Sequence, residues 1–317
     1  MSVRSIAVSS AGFLVSHFNK VWRRKALFFL RDVLLPESKL AGDAAVGAEM
    51  HEPNRIQDEI EIGVDTIDHE AVDGSAIADY VPFLVEDDTI LFFDIGTIPK
   101  LRGQSMLTKE PDTIAWINQF NKGDVFWDIG ANVGVFTLYA AIKRSARVLA
   151  FEPAAGNYMV LNKNIEGNNL SERVSAYCVA FNDVDLLSEL NMQNTEFGAS
   201  LSGFATQIDF KGDKFSPLFR QGMIGFSIDN FVSKFSPEFP NHIKIDVDGI
   251  EPEIIQGAQE VLRDKRLKSL SVELNMDLPD MVKKVVTSIE SCGMCLSDKA
   301  KVMRTKKSSI ENYHFYR

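Results

Sequence analysis

From Gly123 onward, short apolar runs that lack a polar face alternate with helical segments, and this pattern limits the fold more than any other feature. Val125–Ile129, Arg147–Phe151 and residues 176–180, 243–247 and 269–274 read as strands. Val135–Lys143 and residues 157–166, 253–263 and 280–291 read as helices. A strand that is apolar on both faces must be covered on both, which predicts an α/β fold with a mostly parallel central sheet between helices. Residues 293–297 and 312–316 predict a terminal antiparallel hairpin. Upstream, Tyr80–Val85 and residues 89–93 flank Glu86-Asp87-Asp88 and predict another hairpin. Glu110-Pro111-Asp112 then opens a helix over 113–120, with proline in its first turn and acid near its positive end.

The expected organisation is therefore a main domain over 123–317, preceded by a hairpin and lead-in helix over 80–122. Residues 1–35 carry six basic groups against Asp32, a net of +5, with Phe13, Phe18, Trp22, Phe28 and Phe29 among the apolar content. This basic amphipathic segment reads first as a helix packed on its own domain or on a second subunit. The second reading is peripheral contact with an anionic membrane. Residues 36–79 hold twelve acidic residues against Lys39 and Arg55, which reads as a linker or loosely ordered segment. The whole chain has a net charge of -10, which disfavours nucleic acid as a partner. Three cysteines form no disulfide framework, and Cys292-Gly293-Met294-Cys295 lacks the second ligand pair of a zinc site. No apolar run approaches the roughly 20 residues that span a bilayer, so the expected location is cytoplasmic.

In such a sheet, ligands bind beyond the carboxyl ends of the strands. Three strand ends here carry pointed chemistry. The first is Asp128-Ile129-Gly130-Ala131-Asn132-Val133-Gly134, a strand running through a glycine turn into a helix. Asn132 stands where the dinucleotide fingerprint G-x-G-x-x-G needs its second glycine for pyrophosphate. A sulfonium nucleoside carries no phosphate, so the turn favours S-adenosylmethionine over NAD. The second is Phe151-Glu152-Pro153, where Glu152 falls 22 residues past Gly130 and can accept both ribose hydroxyls. At the next strand end, Asn182 or Asp183 can reach the adenine, and a plain Asx turn competes with that reading. The third runs from His242 to Glu251. Period two puts Lys244, Asp246 and Asp248 on one side of the strand, and Glu273 on the neighbouring strand is a plausible partner for Lys244.

These segments, with Gln256-Gly257-Ala258 and the strand around Glu273, resemble the FkbM family of methyltransferases over roughly residues 80–317. Thr108-Lys109-Glu110-Pro111-Asp112-Thr113 also resembles a recurrent element of some members, and places Glu110 on the cofactor side. Asp248 departs from the family, which usually carries glutamate there. The resemblance implies a Rossmann-like class I methyltransferase fold. It also implies transfer from S-adenosylmethionine to oxygen, often on a small molecule, a sugar or glycan, or a lipid-linked acceptor.

The expected cofactor residues are thus Glu110, Asp128, Gly130, Ala131, Asn132, Gly134, Glu152, Asn182 and Asp183. Asp246 is the first candidate for general base. Lys244 is the second, if burial lowers its pKa, and His242 the third; Glu273 completes the catalytic set. Ser200, in the loop 194–202, and Asp248 are assigned to the acceptor. Asp246, Asp248 and Glu251 together could gather a divalent cation, but no other ligand set accompanies them and no metal is expected. A nicotinamide oxidoreductase and a noncatalytic membrane-associated scaffold are the rival classes, and a homo-oligomer is compatible with either.

Overall fold

The computed structural model describes residues 79–297 and 309–317. The expected segments 1–35 and 36–79, Asp79 apart, lie outside the described residues. In chain order the elements are β1 (Tyr80–Val85), β2 (Asp88–Phe93), α1 (Thr97–Gln104), α2 (Pro111–Ile117), β3 (Val125–Ile129), α3 (Val135–Lys143), β4 (Arg147–Phe151), α4 (Ala155–Gly167), β5 (Val174–Tyr177) and β6 (Ala180–Phe181). There follow β7 (Leu186–Met192), β8 (Ser202–Phe204), β9 (Phe219–Phe226), α5 (Ile228–Phe235), β10 (His242–Ile245), α6 (Glu251–Gln256), α7 (Gln259–Arg263), β11 (Ser269–Asn275), α8 (Pro279–Ser291), β12 (Cys295–Leu296) and β13 (Ile310–Tyr316).

Seven strands form the central sheet in the order β12-β13-β11-β10-β3-β4-β5. All pairings from β11 to β5 are parallel, while β13 runs antiparallel to β11 and β12. This is the Rossmann-like class I methyltransferase fold, with the terminal antiparallel pair that the tail predicts. No helix among the described residues is long and apolar enough to cross a membrane.

Two features differ from the sequence expectation. The third parallel strand ends at Tyr177, and Ala180–Phe181 leaves the main sheet to pair with β9. It joins a four-stranded sheet, β6-β9-β7-β8, that the alternation does not foretell. The helix expected over 253–263 is broken between α6 and α7 at Gly257-Ala258. A Cβ on Gly257 would lie 2.3 Å from the Asn182 carbonyl oxygen, so the break lets the second sheet's connection pack against the helix pair.

The two faces of the central sheet feed separate cores. Trp127, Ile129, Leu149, Phe151, Ile243, Ile245, Leu270 and Val272 pack on one side with α5 to α8. Phe126, Val148, Ala150 and Val174 pack on the other with α2, α3 and α4. On this second side β10 and β11 are polar: His242, Lys244, Ser269 and Ser271 are all buried. Burial of such groups is costly unless they are hydrogen-bonded. A continuous chain of bonds satisfies the lower part of the face. The Trp116 indole N–H donates to Ser269 Oγ at 2.8 Å, which lies 2.7 Å from His242 Nδ1. His242 Nε2 lies 3.0 Å from Asp124 Oδ2, and Lys268 donates to Asp124 Oδ1 at 2.6 Å. Asp124 is held down to about 2, so it can only accept; Nε2 therefore carries the proton and Nδ1 accepts from Ser269. Burial lowers His242 itself to about 4, against the partial opposition of Asp124. His242 is thus a neutral structural link below α2, with both ring nitrogens committed to Ser269 and Asp124 rather than to a ligand.

The leading hairpin is fastened by two asparagines of α4 that imitate a neighbouring strand. Asn168 accepts from Leu91 N at 2.8 Å and donates to Leu91 O at 2.7 Å. Asn164, fully buried, accepts from Phe93 N at 2.6 Å and donates to Val133 O at 2.7 Å, which ties the hairpin to the turn after β3. Asn164→Ala strands one donor and one acceptor in the interior. It is expected to cost about 2–4 kcal/mol, read as a lowered midpoint in urea unfolding.

Candidate active site

The turn after β3 is shaped by the backbone that meets it. Gly130 has φ of 83°, and a Cβ there would fall 1.8 Å from the Asp246 carbonyl oxygen. The glycine therefore turns the chain and also lets the end of β3 dock against the end of β10. Asn132 takes the left-handed conformation at φ 51°. Gly134, at φ 89°, caps α3, where a Cβ would meet Leu161 at 2.5 Å.

Glu152 leaves the end of β4 and is 5% exposed. Its carboxylate accepts from Asn132 N at 2.8 Å and Ala154 N at 2.9 Å, with Asn157 Nδ2 at 3.5 Å. Burial pushes its pKa up to about 7 even against those three donors. Beyond it opens a cavity of about 1430 Å³, larger than the roughly 300–1,000 Å³ of most small-molecule sites. It has room for a donor and an acceptor together.

Deeper in the cavity, three carboxyl groups converge. Oxygens of Glu110, Asp246 and Glu273 all lie within 4.8 Å of one another. Lys244, 1% exposed, donates to Asp246 Oδ2 at 2.5 Å. Burial alone would lower the Lys244 pKa. The surrounding Asp246, Glu110, Asp128 and Glu273 instead raise it above the usual lysine value. Burial would likewise raise Asp246, but the Lys244 charge and hydrogen bonds from Lys244 and Glu273 hold it below the usual carboxylate value. Burial and the Asp246 charge push Glu273 up to about 9, so near neutrality it keeps a proton and shares it with Asp246.

The cavity thus brings together Glu110, Gly130, Asn132, Glu152, Ser200, Asp246, Asp248 and Glu273. It leaves five of the expected cofactor residues outside its lining. Asp128 is 1% exposed and accepts from Thr137 Oγ1 at 2.6 Å, with burial raising its pKa. The Ala131 N–H is spent on Phe151 O, and Gly134 is spent on helix packing. Asn182 Oδ1 accepts from the adjacent Asp183 N at 2.7 Å, and the chain has by then left the central sheet. Val179, Ala180 and Phe181 line the cavity in their place. Lys244 also lies outside the lining and touches it through its hydrogen bond to Asp246. Its raised pKa removes it as a base, and its partner is Asp246 rather than Glu273.

The set Asp246, Asp248 and Glu251 does not converge. Glu251 accepts from Gly249 N and Val247 N in its own turn, and Asp248 accepts from Leu201 N and Ser202 N. Sequence reasoning missed Arg102, Asn157 and the residues of β13, Asn312, His314 and Tyr316, that line the far end of the cavity. Asn157 had a signal: it falls five residues after Glu152, in the first turn of the following helix, facing back to the strand end.

A family model described as the methyltransferase FkbM domain matches residues 128–294. The hexuronic acid methyltransferase AglP of Haloferax volcanii is 25% identical over 193 residues, covering 60% of this chain and 71% of that protein. Among solved structures, the precorrin-6y C5,15-methyltransferase of Geobacter metallireducens has a TM-score of 0.41 at 12% identity, over 71% of this chain and 94% of that one. TrmK of M. capricolum, solved with S-adenosyl-homocysteine, has a TM-score of 0.36 at 10% identity, over 67% and 69%.

The buried acids make stability depend on pH. Asp248, raised to about 6 by burial and Asp246, joins Glu152 and Glu251 at about 7 and Glu273 at about 9. Each binds its proton more tightly folded than unfolded, so its contribution is full below the unfolded value and is lost as pH rises through the folded one. His242 has the opposite sign between about 4 and 6.5. Four acids against one histidine predict a ligand-free Tm that falls from pH 5 to pH 8, measured by differential scanning calorimetry.

Proposed function

This chain belongs to the FkbM methyltransferase family and uses S-adenosylmethionine, and on that premise we propose that it methylates a hydroxyl group of a sugar, glycan, lipid-linked or other small-molecule acceptor. The observation that carries this reading is Asp246. It is an ionised carboxylate at the end of a central strand, held by Lys244, in the same cavity as Glu152 and the glycine turn. A hydroxyl acceptor needs a group to take its proton, and an ionised, fixed carboxylate can do so. The sugar part of the reading draws on AglP, a hexuronic acid methyltransferase. Family membership displaces the nicotinamide alternative.

The residues present suit the cofactor. Glu152 is a buried carboxylate, already caged by N–H groups on one side, with lone pairs left for two ribose hydroxyls. Val179, Ala180 and Phe181 offer an apolar slot for a base, and Glu110 offers negative charge for an ammonium group. When bound, S-adenosylmethionine supplies a methyl group activated by the sulfonium. The chain's own residues do the rest. Glu152 and Asn132 orient the nucleoside. Lys244 keeps Asp246 charged and fixed in place. Glu273 holds a proton that it shares with the Asp246 carboxylate. Ser200, on the loop before β8, is placed to contact the acceptor. Proximity of two bound partners in one cavity contributes several kcal/mol more to the rate.

Ribose hydroxyls donate more strongly to an ionised Glu152, whose pKa is about 7, than to its protonated form. Affinity for S-adenosylmethionine, measured by calorimetry, is expected to rise with pH through that value. Glu152→Ala is expected to weaken binding about 10–100-fold and flatten the pH dependence; unchanged affinity would sink the ribose assignment. Asp246→Asn is expected to keep cofactor binding within a few-fold while lowering kcat about 10²–10⁴-fold in a methyl-transfer assay. Full turnover by that variant rules out Asp246 as the base.

A further inference from the structure

Residues 198–202 lead into β8 along the cavity wall, and beside their local backbone bonds they are tied by side chains from several distant parts of the fold. The Arg102 guanidinium of α1 donates to Gly198 O at 2.6 Å. Gly198 N donates to Asn157 Oδ1 of α4 at 2.7 Å. The side-chain amides of Asn132 and Asn157 both donate to Ala199 O, at 2.9 and 3.0 Å. Leu201 N and Ser202 N both donate to Asp248 Oδ2, at 2.6 and 3.3 Å.

Backbone strain gathers at the same place. Asn132, Leu201 and Asp248 are non-glycine residues with φ of 51°, 70° and 62°, and all three line the cavity. Asparagine and aspartate tolerate that conformation; leucine does not. Leu201 is also more than a third exposed, so no core packing repays the strain. Its N–H is held by Asp248, and its carbonyl accepts from Gln193 N at 3.1 Å. Strained residues persist where surrounding contacts over-determine them, and they cluster at binding sites.

We propose that Asp248 is a positioning residue that acts through the loop it holds. Its carboxylate latches Leu201 and Ser202, and so fixes Ser200 and Ala199 as one wall of the cleft over the bound cofactor. This makes loop positioning, rather than direct acceptor contact, the role of Asp248, since its Oδ2 is engaged by two backbone N–H groups. The proposal rests on S-adenosylmethionine occupying this cleft, and not on the nature of the acceptor.

The test uses the full chain and S-adenosylmethionine alone, so its failure is separable from failure of the hydroxyl-transfer reading. Asp248→Asn keeps an oxygen that can accept from both N–H groups, whereas Asp248→Ala removes it. The alanine variant is expected to release S-adenosylmethionine about tenfold faster or more in stopped-flow displacement, and to exchange the amides of residues 199–203 faster in the bound state. The asparagine variant is expected to stay within about twofold of the parent in both readouts. Arg102→Ala, which cuts the tie at Gly198 from another element, is expected to move both readouts in the same direction as the alanine variant. Equal damage from asparagine and alanine overturns the proposal, because the charge itself would then be needed by a ligand. Unchanged release and exchange in both Asp248→Ala and Arg102→Ala overturns it as well.

Discussion

Lys244 sits on a central strand with 1% of its surface exposed, and the carboxyl groups around it are arranged about that one buried charge. An unpaired ammonium there would cost several kcal/mol, and removing one partner of a buried pair costs about 3–5 kcal/mol. Asp246 supplies the partner at 2.5 Å, and is kept ionised in return. Burial and the Asp246 charge together leave Glu273 with its proton near neutrality. One buried lysine therefore sets the protonation of two acids at the cavity wall. The charged acid, Asp246, is the proposed base.

The same sheet face shows how a polar strand is made tolerable away from the cavity. Below Lys244, His242 and Ser269 are satisfied through Trp116, Asp124 and Lys268. The indole that closes this chain belongs to α2, and the residue capping that helix is Glu110. The network that satisfies buried polar groups thus also registers a seven-residue helix against the sheet, and with it one of the three converging carboxyl groups. Isolated, so short a helix has little stability of its own. Its position comes from Trp116, which also stacks on His314 of β13 with ring centroids 5.6 Å apart.

The turn after β3 was legible as a ligand site from its glycines and its spacing to Glu152, yet one glycine has a second reason for being there. Gly130 admits the carbonyl of Asp246, so the cofactor turn and the strand end bearing the candidate base are in backbone contact. Nothing in a single segment reveals that contact, because it joins residues 116 positions apart. Asp128 and Lys244 show the same limit. Both look like cavity residues in the linear pattern, and both lie one layer beneath it, in cross-strand register with each other.

Taken alone, the sequence determined the parallel order of layers, the two strand ends that carry Glu152 and Asp246, and the family. Each of these follows from local patterns: apolar runs that need cover on both faces, a glycine turn, and an acid at a fixed spacing. Only the tertiary structure decided which acids ionise, since that depends on burial and on charges brought from β3, β10, β11 and the start of α2. It also decided that Asn182 lies outside the cavity lining, because Ala180–Phe181 pairs with a strand some forty residues later. And it decided that Asp248 faces a loop rather than open space, because the N–H groups of Leu201 and Ser202 arrive there from the lead-in to β8 of the second sheet, far along the chain from Asp248.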